Sequence, residues 1–339
     1  MAERAMVAGT EHGMFVLRSQ DDGKTWGAPE VIFPELDVAD VCAAPDGTVY
    51  AGTIGRGVLQ SRDGLRGWDE IEAPAALRKV RSLHLDGDNL LAGSESRPDP
   101  VGVFQWEDHE QWRQLGDLST CSGVAEWHYP VPDIGVHIRH VSRDPHQPER
   151  LYGAIQVGGV AISPDGGQSW YDRRNLDLDV HMIEAHPRRP GVVYAGSGGG
   201  GMYRSDDYGN NWQPISEECG RFVVQFAIDP ETPDRLYLGT ARGGFRSWQT
   251  DPNGARGEMW RSDNGGDSWR KLAGGLPELL RSRVGCVHIS AQDRNQVFFG
   301  CDNPRGGPDN GVYQSLDAGE SWRRILEVPE VGAICTVEV

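Results

Sequence analysis

The sequence predicts an all-β fold: a single seven-bladed β-propeller over residues 1–339, closed by pairing of its N- and C-terminal strands in the first blade. Three observations predict it. A Ser-x-Asp-x-Gly-x-x-Trp segment recurs along the chain. Two apolar columns align across seven strand-like segments. The last of those segments has no copy of the motif after it. The chain is rich in turn and covering residues, with 45 Gly and 11 Trp among 339 residues, and shows no long helix-like apolar periodicity. That length is large for one average domain but ordinary for a closed β architecture.

The motif reads Ser19-Gln-Asp21-Asp-Gly23-Lys-Thr-Trp26 in its first copy. It returns as Ser163 to Trp170, Ser205 to Trp212 and Ser315 to Trp322, and with Asn264 for the aspartate in Ser262 to Trp269. A degraded copy runs from Ser61 to Trp68, and near Trp112 only the tryptophan survives. The chemistry of the motif is structural. Gly supplies a positive φ in a tight hairpin, Asp accepts from turn amides, Ser or Thr adds a local bond, and Trp covers the turn.

Upstream of each motif lies a strand with two apolar positions. The first column is Val38, Val80, Ile138, Val180, Val223, Val284 and Val331, and the second is Val41, Leu83, Val141, Ile183, Phe226, Val287 and Ile334. They place blade 1 at 6–30 plus 331–339, blade 2 at 37–72, blade 3 at 79–116, blade 4 at 137–173, blade 5 at 179–216, blade 6 at 221–273 and blade 7 at 283–327. The last segment completes the blade begun at the N-terminus, which removes free sheet edges.

These repeats resemble the Asp-box, or BNR, repeat of sialidases, sortilin-type receptors, xyloglucan-cleaving glycosidases and the photosystem II assembly factor. The resemblance covers essentially the whole chain and implies a propeller, not one activity. The Arg-Ile-Pro element of sialidases is missing, as is the second propeller with which the xyloglucan enzymes form their cleft.

In a propeller the motif turns lie on one face. The insertions at 94–102, 117–137, 241–258 and 302–311 fall on the opposite face, which marks that face for binding. Arg81, Arg139 and His181 occupy equivalent positions near the channel mouth, and Arg56, Arg97, Arg242, Arg246 and Arg305 lie in loops of the same face. Arginine clusters bind carboxylate or phosphate by bidentate pairing. Trp127, Tyr129 and Trp248 offer stacking surfaces for a sugar or aromatic ligand.

The strands nearest the axis carry unusual polar columns. One reads Asp40, Ser82, His140, Met182, Gln225, Cys286, Ala333; the other Cys335, Cys42, His84, Ser142, Glu184, Ala227, His288. Imidazole, thiol and carboxylate together suit a divalent transition metal, Zn, Cu or Fe. The candidate ligands are His84, His140, His288, Glu184, Cys42 and Cys335; Glu184, His181 and His140 are the candidate proton-moving groups.

The net charge of −17 excludes a basic nucleic-acid footprint. No apolar run approaches the roughly 18–20 residues of a spanning helix, so no membrane partner is expected. No nucleotide cofactor is expected. Six cysteines without framework spacing, and an N-terminus without a secretory hydrophobic region, predict a cytoplasmic protein with reduced thiols. The favoured function is a metal-assisted small-molecule enzyme at the channel mouth, acting on an anionic or sugar-like ligand. The alternatives are a metal-free glycoside hydrolase or lyase using carboxylates such as Asp99, Asp133, Glu184 or Asp309, and a non-catalytic scaffold with a protein partner.

Overall fold

The structure is a computed structural model that describes residues 3–87, 89–96, 100–244, 248, 250–303 and 307–339. Its smallest unit is the motif turn. Ser19 Oγ accepts from the Gly23 N–H at 2.9 Å and donates to Asp21 Oδ1 at 2.8 Å. The same carboxylate accepts from the Thr25 N–H and hydroxyl, each at 2.7 Å. Those donors hold the Asp21 carboxyl down at about 2. Gly23 sits at φ +80°, where a side chain would be strained. The degraded copy forces Leu65 into φ +68° at the same place, and Asp63 Oδ1 still accepts from the Arg66 and Gly67 N–H groups. The tryptophans do more than cover their own turns. Trp170 Nε1 donates to the Leu115 carbonyl at 2.8 Å and Trp269 Nε1 to that of Ile215 at 2.6 Å, each in the preceding blade.

These turns close seven four-stranded antiparallel sheets among the described residues. In blade 4 the strands run from the axis outward as His137–Arg143, Leu151–Gln156, Gly159–Ser163 and Tyr171–Arg173. Blade 1 is composite: its innermost strand is Ala333–Glu338, paired with Arg4–Thr10 in the register Met6 to Thr336 and Val7 to Cys335. The ring is therefore closed by the two ends of the chain.

Every member of both apolar columns is buried, and the hydrophobic clusters lie between blades. The second strand of most blades carries a glycine where the first apolar column of the next blade presses in. A Cβ at Gly239 would stand 2.4 Å from Val284 Cγ1, and one at Gly196 would stand 2.7 Å from Val223 Cγ1. A flat backbone meeting a β-branched side chain is how adjacent blades stack this closely.

Candidate functional site at the channel mouth

The innermost strands of blades 2 to 7 share one irregularity. A β-bulge falls between the apolar column residue and the next paired residue, as at Val80/Ser82, Ile138/His140 and Val180/Met182. A bulge re-aims the extra side chain. The residues at this step are Ala39, Arg81, Arg139, His181 and Gly285 in five blades, and with Val224 and Gly332 at the equivalent positions of the other two they line a cavity of about 170 Å³. Asp37, His137, Arg283 and Glu330, each just before the apolar column of its strand, also line it, together with Glu11, Tyr129, Gln156 and Asp302.

The three arginines differ in their partners. Arg81 grips Glu95 through Nε at 2.7 Å and Nη2 at 2.5 Å. Glu95 is buried and also accepts from Lys79 Nζ and the Gly135 N–H. Although burial alone would raise it, these donors and the Arg81 charge hold the Glu95 carboxyl below the usual range. Arg283 forks onto Asp302, with Nη2 to Oδ2 at 2.7 Å, and lies over the Trp248 ring. Arg139 has no hydrogen bond or ion pair to a carboxylate among the described residues. Burial, and then the charges of Arg283 and Arg81, pull its guanidinium below its usual value.

Two carboxyls at the rim are tuned the other way. Burial first, then the neighbouring Asp302 and Glu11, push Glu330 up to about 8, with a hydrogen bond to Glu11 adding to the shift. Burial also raises Asp37. Both belong to the column directly before the apolar one, a periodic signal present in the sequence: Asp37, Lys79, His137, Asp179, Phe222, Arg283, Glu330.

Several expected site residues lie elsewhere. His181 lines the cavity but both its ring nitrogens are engaged, Nδ1 with the Val223 carbonyl at 2.7 Å and Nε2 beside Asp179 Oδ1 at 3.2 Å. It ties blade 5 to blade 6 while lining the cavity. Trp127 is a buried packing anchor in the core beneath the 117–137 loop. Trp248 is buried edge-on against Phe222, with Nε1 donating to the Arg242 carbonyl. Neither offers a stacking face to a ligand. Tyr129 lines the cavity, whereas Arg242 faces Glu258 outside it. Arg97, Asp99, Phe245, Arg246 and Arg305 lie outside the described residues.

The polar columns near the axis have a structural explanation that alternation alone hides. Neighbouring innermost strands do not pair, and the first column bridges them. Asp40 Oδ2 accepts from the Leu83 N–H at 2.8 Å, Ser82 Oγ donates to the Ile138 carbonyl at 3.0 Å, and Gln225 Oε1 accepts from the Val287 N–H at 3.4 Å. His288 Nε2 meets Thr336 Oγ1 at 3.0 Å, tying blade 7 to the closing strand. Cys42 and Cys335 are thiols that burial pushes up, away from the thiolate a metal requires. These three are thus not brought together with the other expected ligands. His84, His140 and Glu184 are: one ligand atom from each lies within 4.8 Å of the others. None of the three lines the mouth cavity. Burial holds His84 at about 4 and His140 at about 3, and pushes Glu184 up to about 8.

No family model matches the sequence. It is 31% identical over 154 residues to a xyloglucanase from a Paenibacillus species, a stretch that covers 42% of this chain and 14% of that protein. It is 28% identical over 182 residues to the photosystem II assembly lipoprotein Ycf48 of a Nostoc species, covering 53% of this chain and 46% of the relative. The matched stretches thus span less than half of each curated relative. Among solved structures, a GH74 xyloglucanase from Xanthomonas campestris superposes with a TM-score of 0.64 at 17% identity, over 85% of this chain and 45% of that one. A Ycf48 with bound D1 peptide superposes with a TM-score of 0.61 at 14% identity, over 93% and 88%. The chain is a seven-bladed β-propeller related over part of its length to xyloglucanases and to Ycf48 proteins, at low identity to both.

Proposed function

We propose that the mouth cavity binds a small carbohydrate-like ligand through an anionic group, a carboxylate in the first instance, and that the chain hydrolyses it. The observation that carries this reading is Arg139. A half-buried guanidinium beside two other arginines is costly unless a negative charge meets it. Arg81 and Arg283 are already matched by Glu95 and Asp302, so the unmatched charge of that ring is Arg139's. A carboxylate accepting both of its terminal N–H groups would supply the missing partner.

Glu330 supports the hydrolytic part. A carboxyl held protonated near neutral pH is suited to donate a proton to a leaving oxygen. The glycosidic C–O bond would break, the departing oxygen would take the Glu330 proton, and water would add its hydroxyl to the sugar carbon, its remaining proton restoring the Glu330 carboxyl. The names of the xyloglucanase relatives favour a carbohydrate ligand. Metal assistance has no part in this reading, because the candidate metal ligands stand outside the cavity lining.

Calorimetric titration with glucuronate and galacturonate, against glucose and galactose, tests the binding step. The uronates are expected to bind, and Arg139→Gln to weaken them at least about tenfold, the scale of one charge-assisted contact. Uronates that bind no better than the neutral sugars overturn the reading. A second reading is peptide binding, favoured by the likeness to a Ycf48 chain over 88% of its length. It predicts instead that pull-downs recover one stoichiometric protein partner that the uronates do not displace.

A further inference from the structure

Three blades bring polar side chains together at one point of the channel. His84 comes from the strand Val80–Asp86, His140 from His137–Arg143 and Glu184 from Val180–Ala185. Other polar side chains of the innermost strands, Asp40 and Ser82 among them, bridge to the neighbouring blade. His140 belongs to that bridging column and hydrogen-bonds the Ile183 backbone, which leaves its Nδ1 buried with no hydrogen-bond partner. His84 Nδ1 and Glu184 Oε2 stand 3.8 Å apart, longer than a hydrogen bond. Buried polar atoms are almost always satisfied, so the unpartnered His140 Nδ1, with donor atoms of the half-buried His84 and Glu184 within 4.8 Å of it and of one another, calls for a partner common to the three.

We infer that His84, His140 and Glu184 form a three-ligand site for a divalent first-row transition metal, Zn²⁺ or Fe²⁺, inside the channel. Two imidazoles and one carboxylate are the donor set these ions select, and three protein ligands leave positions open to water. The size also fits. Tetrahedral ligands at about 2.0–2.1 Å from a metal stand about 3.4 Å from one another. The three donors now span up to 4.8 Å. Small χ adjustments would close that gap. A neutral imidazole offers the lone pair a metal takes, and a bound cation would hold Glu184 in its ionised form. Three consecutive blades would then be joined at the axis by one ion. The site is independent of the anion-binding reading of the mouth, since no ligand residue lines that cavity.

The test is elemental analysis of untagged protein purified without chelator, then of the same protein stripped and incubated with excess Zn²⁺, Fe²⁺ or Co²⁺ and desalted. Near one equivalent per chain is expected, with a visible Co²⁺ absorption band of low-symmetry nitrogen and oxygen coordination. His84→Ala and Glu184→Gln are each expected to reduce bound metal at least about tenfold. Arg139→Gln is expected to keep its metal while losing uronate binding, so the two proposals fail separately. Less than about 0.1 equivalent in the reloaded wild type overturns the site. So does full metal content in a folded His84→Ala. Should that variant not fold, the Co²⁺ spectrum of the wild type decides: no band, no site.

Discussion

Arg139 and Glu330 line the same cavity in unbalanced surroundings. Arg139 pairs directly with no carboxylate among the described residues, whereas Glu330 lies beside Asp302 and Glu11. The second imbalance has a measurable consequence for stability. The Glu330 carboxyl titrates near 8 in the folded chain against an ordinary 4.5, because burial, Asp302 and Glu11 outweigh the opposing charge of Arg283. Below the ordinary value both folded and unfolded chains hold the proton. Between 4.5 and 8 the folded chain keeps a proton that the unfolded chain has released. The contribution of this group is therefore complete at low pH and is lost as pH rises through that window. Glu330→Gln, neutral throughout, is expected to escape the loss. Its Tm relative to wild type should climb between about pH 5 and pH 8. Melting curves across that range check it, and a Tm difference that stays constant with pH rules it out.

At the level of the strand, what could be read from the sequence and what could not are separated by one extra residue. The two apolar columns recur three residues apart in every blade, and that repetition made their burial legible. So was the motif turn, whose glycine, serine and aspartate act through contacts at most four residues apart. The bulge was not legible. It shifts register without changing composition, and it is what turns Arg81, Arg139 and His181 into the cavity. Nor was the bridging between unpaired inner strands, which gives Asp40, Ser82 and His288 structural partners that metal chemistry is not needed to explain. The partners of Arg81 and Arg283 are far from them along the chain, so only the fold distinguishes the paired arginines from the unpaired one. The stacking of one blade on the next gives a further expectation. Gly239→Ala drives a Cβ to 2.4 Å from Val284 Cγ1, within a cluster that also holds Tyr237 and Phe299. Overpacking of this kind costs about 1–3 kcal/mol. Gly27→Ala is the control, since its Cβ would meet only the Arg18 carbonyl at 3.5 Å. Denaturant midpoints of the two variants should separate, and equal midpoints would refute the stacking role of Gly239.

For the whole molecule, the seam between the last blade and the first carries a load that no other seam shares, because there the ring is joined without a continuous chain inside the blade. Strand Ala333–Glu338 supplies backbone pairing to Arg4–Thr10. It also buries Ala333, Ile334, Cys335, Thr336 and Val337. Around it the seam is stitched by side chains: Gln314 Nε2 to the Gly23 carbonyl at 2.7 Å, Gln296 Nε2 to that of Asp22 at 2.6 Å, Trp26 Nε1 to Gln314 Oε1 at 3.1 Å, and His288 to Thr336 at 3.0 Å. A chain ending at Gly332 keeps the glutamine stitches but loses the strand. Each large buried aliphatic side chain contributes about 1.5–3 kcal/mol, and the whole margin of a folded domain is about 5–15 kcal/mol. Two such side chains, the ladder and the Thr336 bonds together consume much of that margin. The strand Arg4–Thr10 would also become an open edge, a template for pairing with another chain. The truncated chain is therefore expected to melt well below the full chain and to self-associate, and a synthetic peptide spanning residues 330–339 should restore both the Tm and the monomer. Calorimetry with light scattering measures both. A truncated monomer that melts where the full chain does would mean that the ring does not depend on its closing strand.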